Sequence, residues 1–372
     1  MPERVVVVGG GYAGLAAIGE LRRVPASYLE IYLIDAVHGH ELIPELPEAL
    51  RENDPIEEHI VPFAEILQDS EVKHIRERVS DVSVQQRQVT TTTGTLIDYD
   101  WLVLSPGSSP AYPPIPGLET HALPMRNAHD TFKIKERLKS HRGQRVVVVG
   151  GGLTGTEVAG VLAFDHDVWL VEGMSRLLPA LGRGLATYAR DRLRAAGVTV
   201  MLGQKLLRVD HKALKLERDE LHYDVLVWAG GIQAPDWLKD TDIPIKHSGY
   251  PDVSALGQIS ERIFAAGDVW RVYTDGGEVP QTAQLASMAG KYVGGNLLRV
   301  IRRQPLLPAF QPRLRGMLIS LDPGVGVGWV LRGGIPVRGG SARALKELSF
   351  HQYRLKLSRV FGHGWPFPSI SE

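Results

Sequence analysis

Cysteine is absent from all 372 residues, which excludes disulfides, thiolate metal sites, Fe–S clusters and covalent thiol catalysis in one step. An excess of either charge is also missing. Lys+Arg and Asp+Glu number 42 each, so no global field draws the chain to nucleic acid or to an anionic membrane, and any such attraction must be local. No uncharged apolar run approaches the ~18 residues of a membrane-spanning helix, and the first strand-like run starts by Arg4, ahead of any room for a signal peptide. The expectation is a protein held peripherally on the cytoplasmic side of a membrane, with a soluble cytoplasmic protein as the alternative. The 13 histidines show no metal-ligand spacing, so no metal is expected. Hydrophobic content of 44% is that of a globular chain whose length predicts about two or three domains.

Glycine is plentiful, and its placement is informative. The octapeptide RVVVVGGG occurs at residues 4–11 and again at 145–152. A β-branched run of this kind suits a strand buried on both faces, as in a parallel sheet. Gly9, Gly11 and Gly14 satisfy G-x-G-x-x-G between that strand and a small, apolar helix beginning at Tyr12-Ala13. The first glycine permits a tight turn, the second lets a pyrophosphate approach the backbone, and the third allows close helix packing. The helix N-terminus offers free N–H groups to the phosphate charge. An acid is expected about 20 residues on, to accept from ribose hydroxyls, and IYLID at 31–35 supplies Asp35 at the end of an apolar strand. The second copy repeats the logic with Gly150, Gly152 and Gly155, and with VWLVE at 168–172 ending in Glu172. Two bound dinucleotides are implied.

The halves correspond beyond their turns. A Thr-rich meander over 79–84, 88–93 and 95–98 leads to an apolar strand ending at SPG, residues 105–107; residues 198–217 and the strand ending in VWAGG at 227–231 mirror it. Four prolines within 40–62 mark an irregular excursion bordering a site, and five within 110–124 read as a linker. FAAGD at 264–268 is a further apolar strand closing on Gly-Asp, which returns the chain to the first domain. The fold class is therefore α/β, with two Rossmann-like dinucleotide-binding domains, one interrupted by the other, plus a small C-terminal segment. The divisions are 1–115 and 236–305 for the interrupted domain, 116–235 for the inserted one and 306–372 for the C-terminal segment.

These motifs, together with GGGLTGTEVAG at 150–160, RLLP at 176–179 and PQTAQLA at 280–286, resemble the two-dinucleotide-binding flavoproteins. The match is closest to the type II NADH:quinone oxidoreductases and covers about the whole chain. The resemblance implies FAD at the first turn and NADH at the second, with hydride passing to the flavin and two electrons onward to a membrane quinone, without proton pumping. It implies FAD contacts at Gly9, Gly11, Tyr12, Ala13, Gly14, Asp35, Pro44, Val79, Ser105, Gly107, Gly267, Asp268 and Ala283. It implies nicotinamide-dinucleotide contacts at Gly150, Gly152, Thr154, Gly155, Glu172 and Gly230, and catalytic roles for Glu157 and Gln284. A carboxylate at Glu172 repels a 2′-phosphate and favours NADH over NADPH, with Arg176 close enough in sequence to soften the preference. The family's quinone-facing helix reads A-Q-x-A-x-Q-x-G; here Met288 replaces the second glutamine, and a thioether cannot donate to a quinone carbonyl.

Residues 338–359 hold six basic residues and one acid. With Tyr353, Leu357, Val360 and Phe361 at helical spacing, and Trp365 and Phe367 beyond, the pattern predicts a basic amphipathic helix at a membrane interface. A helix packed on the protein, or a homodimer contact, is the alternative. Sulfide:quinone reductases and disulfide reductases share the fold but work through cysteine. An NAD(P)H-dependent reductase of a small carrier protein, or a nicotinamide-sensing flavoprotein of the apoptosis-inducing-factor type, is the rival reading.

Overall fold

The computed structural model describes residues 2–68, 70–139, 141–331 and 334–361, with side chains of the last helix through Leu357. Trp365 and Phe367 and the side chains of Val360 and Phe361 lie outside the described residues.

Two five-stranded parallel sheets share one plan. The first runs Ile263–Ala265, Trp101–Leu104, Glu3–Val8, Leu29–Ile34, Lys73–Ile75. The second runs Leu123–Pro124, Val225–Trp228, Arg145–Val149, Asp167–Glu172, Thr199–Leu202. Both valine runs are central strands, and Val5–Val8 and Val146–Val149 are buried. Both faces are covered, so the run is continuous rather than alternating.

Each sheet is completed by a strand that the chain adds after leaving the other. It leaves the first sheet after Trp101–Leu104, crosses through Ser109–Pro110 and adds Leu123–Pro124 to the second. It leaves the second after Val225–Trp228, crosses back through Ile232–Gln233 antiparallel to Ser109–Pro110, and adds Ile263–Ala265 to the first. The proline-rich stretch is thus a crossing strand and an edge strand rather than a free linker, and proline is tolerated in such short edge positions because it need not donate. Both parallel sheets have their C-terminal ends beside this crossing, the place where open α/β sheets bind ligands.

The meander forms as an antiparallel sheet of Val79–Ser83, Gln88–Thr91 and Leu96–Asp98, with Gly94 at φ +86 in its turn. Its counterpart is Leu206–Val209, Ala213–Leu216 and Glu220–His222. The first helix, Tyr12–Leu21, crosses the helix Ala283–Ile301 so closely that a Cβ on Gly290 would collide with the Ala13 carbonyl. Gly267 packs on Ala13 at the same point. The first glycine turn, residues 267–268 and the start of the later helix are therefore neighbours.

The C-terminal segment holds an antiparallel sheet, Gly316–Asp322, Val325–Val330 and Ile335–Arg338, that the sequence pattern did not indicate. It packs on the helix Leu153–Leu162, where Gly160 meets the Leu321 carbonyl. The final helix, Gly339–Phe361, then runs from this sheet to the first domain, where Leu357 joins the core. Three of its basic residues depart from the expected outward-facing arrangement: Lys346 is buried, Arg343 nearly so, and Arg354 pairs with Glu45 at 2.7 Å, while Lys356 stays exposed. Within the described residues the helix packs on the protein.

Candidate functional site

The two glycine turns are one geometric object built twice. Gly9 (φ +94) and Gly150 (φ +114) lie in the left-handed region, and a Cβ on either would collide with a crossing carbonyl, Ser105 or Ala229. A Cβ on Gly14 or Gly155 would run into the carbonyl of Gly9 or Gly150. These four glycines are required by the fold itself. The middle ones are different. Gly11 has φ −72, ψ −168 and Gly152 has φ −73, ψ −165, conformations open to any residue. Among the described residues, nothing lies within 4 Å of a Cβ at either position. Each is the N-cap of a helix that no side chain caps, so unpaired N–H groups face that space.

The acids are matched atom for atom. Asp35 Oδ2 accepts from Gly10 N at 2.6 Å and Oδ1 from Val37 N at 3.0 Å. Glu172 Oε2 accepts from Gly151 N at 2.6 Å and Oε1 from Met174 N at 2.7 Å. Each carboxylate ties its strand end to its turn, and every oxygen retains a lone pair for a ribose hydroxyl. Burial pushes the Asp35 carboxyl up, against those two N–H groups. Arg176, which could have attracted a 2′-phosphate, donates instead to the carbonyls of Leu181 (2.7 Å) and Pro179 (3.0 Å). Ser105 supports the first turn from beneath, its hydroxyl donating to the Val8 carbonyl at 2.9 Å. Gly107 (φ +76) lies near one crossing strand, and Gly230, packed on the Trp228 indole, near the other. Thr154 sits in the first turn of its helix, Val79 is buried at the start of its strand, and Pro44 is half-buried in the excursion.

Asp268 follows the strand Ile263–Ala265 and closes a triad the sequence did not reveal. Its Oδ2 accepts from Arg126 Nη2 at 2.5 Å and from Ser108 Oγ at 2.8 Å, while Arg126 Nε donates to the same Ser108 oxygen at 2.8 Å. Gln281 Nε2 donates to the Asp268 carbonyl. Ala283 opens the neighbouring helix, capped by Thr282, and Gln284 Oε1 accepts from Arg315 N at 2.6 Å. Met288 is half-buried one turn on.

Glu157 is directed beneath the C-terminal segment. Its Oε1 accepts from Ser320 N at 2.9 Å and from Lys346 Nζ. Lys346 also donates to Ser320 Oγ at 3.1 Å, and Glu48 Oε2 accepts from Arg343 Nη2 at 2.6 Å. One buried network thus joins the proline-rich excursion, the second nucleotide domain and the final helix. Burial raises the Glu157 carboxyl, against the pull of Lys346. Burial acts the same way on Glu48, but the Arg343 hydrogen bonds and the Lys346 charge outweigh it and hold that carboxyl at about 2. Among the described residues there is no cluster of three metal-ligating side chains, and no helix is long and apolar enough to cross a membrane.

A family model described as pyridine nucleotide-disulphide oxidoreductase matches residues 3–290. A type II NADH:quinone oxidoreductase of Staphylococcus saprophyticus is 24% identical, over 93% of this chain and 94% of its own. An NADH dehydrogenase-like protein of Mycobacterium tuberculosis is 28% identical over 82% of each chain. Among solved structures, NDH2 of Plasmodium falciparum, in complex with NADH, superposes with a TM-score of 0.83 at 15% identity, covering 97% of both chains. The sulfide:quinone oxidoreductase of Aquifex aeolicus does so at 0.81 and 18% identity, covering 96% of this chain and 92% of that one.

Proposed function

Since the chain belongs to the pyridine nucleotide-disulphide oxidoreductase family, we propose that it is an FAD-dependent NADH dehydrogenase that delivers electrons to a quinone, with FAD on the first turn and NADH on the second. The observation that carries this reading is the pair of middle glycines. Neither Gly11 nor Gly152 is needed by the protein's own packing or backbone, and a phosphate approaching the helix N-terminus supplies the missing reason. The thiol chemistry in the family's name has no counterpart in a chain without cysteine.

FAD, when bound, supplies the centre that takes hydride from the nicotinamide and hands two electrons to the acceptor. The protein's part is placement and charge. N–H groups around Gly11 and Gly152 bind the two pyrophosphates, Asp35 and Glu172 orient the adenosine riboses, and Asp268, fixed by Arg126 and Ser108, meets the ribityl chain. Glu172 with Arg176 held elsewhere favours NADH. Glu157, held by Ser320 and Lys346, is proposed as a contact to the nicotinamide and flavin site, and Gln284 marks the flavin end of its helix. Transfer is scalar, without proton pumping.

A quinone acceptor requires a lipid surface. Peripheral attachment through the C-terminal segment is proposed, where Leu331, Ile335 and Leu348 are exposed at 61%, 51% and 50% alongside exposed Arg338 and Lys356. The deciding experiment is stopped-flow flavin absorbance: reduction by NADH without oxygen, then mixing with menaquinone and ubiquinone analogues. Reoxidation by a quinone faster than by oxygen is expected. Rapid reduction without quinone reoxidation would transfer the reading to a protein acceptor, which Met288 favours.

A further inference from the structure

The two glycine turns differ in what holds the carbonyl of the residue between the first two glycines. In the second turn Gly151 O accepts from Leu178 N at 2.8 Å, so the turn is secured by its own domain. In the first, Gly10 O is met by the ring of His40, with Nδ1 at 3.1 Å. A carbonyl only accepts, so Nδ1 carries the hydrogen and Nε2 presents its lone pair. The donor to Nε2 is the Tyr353 hydroxyl at 2.9 Å, from the C-terminal helix. Gly10 N donates in turn to Asp35, so one directed chain of hydrogen bonds runs Tyr353, His40, Gly10, Asp35. The aromatic rings reinforce it: Tyr12, the first residue of the cofactor helix, lies 4.7 Å from the His40 ring and 4.6 Å from that of Tyr353. His40 is 1% exposed, and burial holds its imidazole down at about 4 despite the Gly10 bond, so the neutral ring this chain needs persists at ordinary pH. Leu357 and the Arg354–Glu45 pair at 2.7 Å dock the same helix on the first domain.

We propose that the C-terminal helix is a clasp on the cofactor turn: Tyr353 and His40 are positioning residues that preshape the Gly9–Gly11 backbone for the FAD pyrophosphate, so helix docking and FAD binding reinforce each other. The inference rests on the assignment of FAD to the first turn. It accounts for the asymmetry, since a cofactor retained through many turnovers is gripped at its turn from two parts of the chain, while the turn for one that exchanges every turnover is held by its own domain, the C-terminal helix reaching only Glu157 in the helix beyond it. Coupling of this kind is reciprocal, and FAD must therefore tighten the helix by the factor with which the helix tightens FAD.

The test uses the FAD-loaded full chain. After dilution, release of FAD is followed by the rise in free-flavin fluorescence for wild type, Tyr353→Phe and Gln352→Ala, the last an exposed residue of the same helix. Tyr353→Phe keeps the ring and removes one donor, and release on the order of tenfold faster is expected, with Gln352→Ala unchanged. In parallel, amide hydrogen exchange across residues 339–357 of the wild type is compared with and without FAD, and slower exchange with FAD is expected. Equal release from Tyr353→Phe and wild type, or helix exchange indifferent to FAD, overturns the clasp. Wild type that takes up no FAD at all overturns the cofactor assignment, and the clasp with it.

Discussion

Lys346 reaches from the C-terminal helix to the Glu157 carboxylate, and the two side chains are only 3% and 8% exposed. Removing one member of such a pair leaves a buried charge without a counter-ion, which costs about 3–5 kcal/mol. Lys346→Met is therefore expected to lower the Tm of the FAD-loaded protein by about 4–6 °C. Adding Glu157→Gln removes the stranded charge and is expected to restore a large part of that loss. Circular dichroism melts of the three proteins check this; a double variant no better than the single one would count against the pair as the source.

The middle glycines separate binding from stability. Alanine fits the backbone at Gly11 and Gly152 and touches nothing within 4 Å, so Gly11→Ala and Gly152→Ala should melt like wild type when no ligand is present. Gly11→Ala is expected to purify with little or no flavin. Gly152→Ala is expected to keep its flavin while its KM for NADH rises on the order of tenfold, from the loss of charge-assisted N–H contacts to phosphate. By contrast Gly14→Ala, whose Cβ would collide with the Gly9 carbonyl, should lose stability outright. Flavin content by absorbance and steady-state NADH kinetics distinguish the cases.

What could be read from the sequence was local. A buried valine strand, a glycine turn, a helix and a terminal acid fall within about 30 residues, and each step is dictated by backbone sterics or by the period of the pattern. Arg126 and His40 carry no local signal, and Tyr353 reads only as part of an amphipathic helix face, because their partners are distant; Tyr353 and His40 are 313 positions apart. The helix carrying Arg343 and Lys346 was expected to turn its basic face outward, as unpaired charges do. Glu48 and Glu157 reverse that by supplying buried partners, and neither acid advertises its burial in sequence. The sheet over residues 316–338 was hidden by Gly316, Gly326, Gly328 and Pro336, which interrupt the alternation by which a strand is recognised. Gly328 is required because a Cβ there would strike the Met317 carbonyl.

Coenzyme choice turns on Glu172. Glu172→Gln removes the charge facing a 2′-phosphate while one oxygen can still accept from Gly151 or Met174. The KM for NADPH is expected to fall on the order of tenfold through relief of repulsion. NADH should nevertheless remain preferred, because Arg176 stays engaged with the carbonyls of Leu181 and Pro179 and no new cation is offered. Paired kcat/KM values for the two coenzymes measure it, and a full reversal of preference would mean that Arg176 swings free.

His59 predicts how stability changes in alkaline solution. Burial alone would lower its imidazole, but Asp54, at 2.7 Å from Nε2, and Glu45, at 3.4 Å from Nδ1, outweigh it and lift the ring to about 9 from an ordinary 6.5. A group whose pKa is higher folded than unfolded holds more protons in the native state, so stability must fall with rising pH across that interval. The contribution is complete below about 6.5 and is lost as pH climbs through about 9. His59→Gln should therefore melt several degrees below wild type at pH 6, and the gap should close steadily between pH 6.5 and 9. Buried His40, lowered to about 4, has the opposite sign and weakens the fold as pH drops from 6.5 toward 4, so the alkaline slope belongs to His59 and its two carboxylates. Melting temperatures of wild type and His59→Gln at half-unit steps from pH 6 to 9.5 decide the matter, and a gap that stays constant would show that His59 acts by packing rather than by charge.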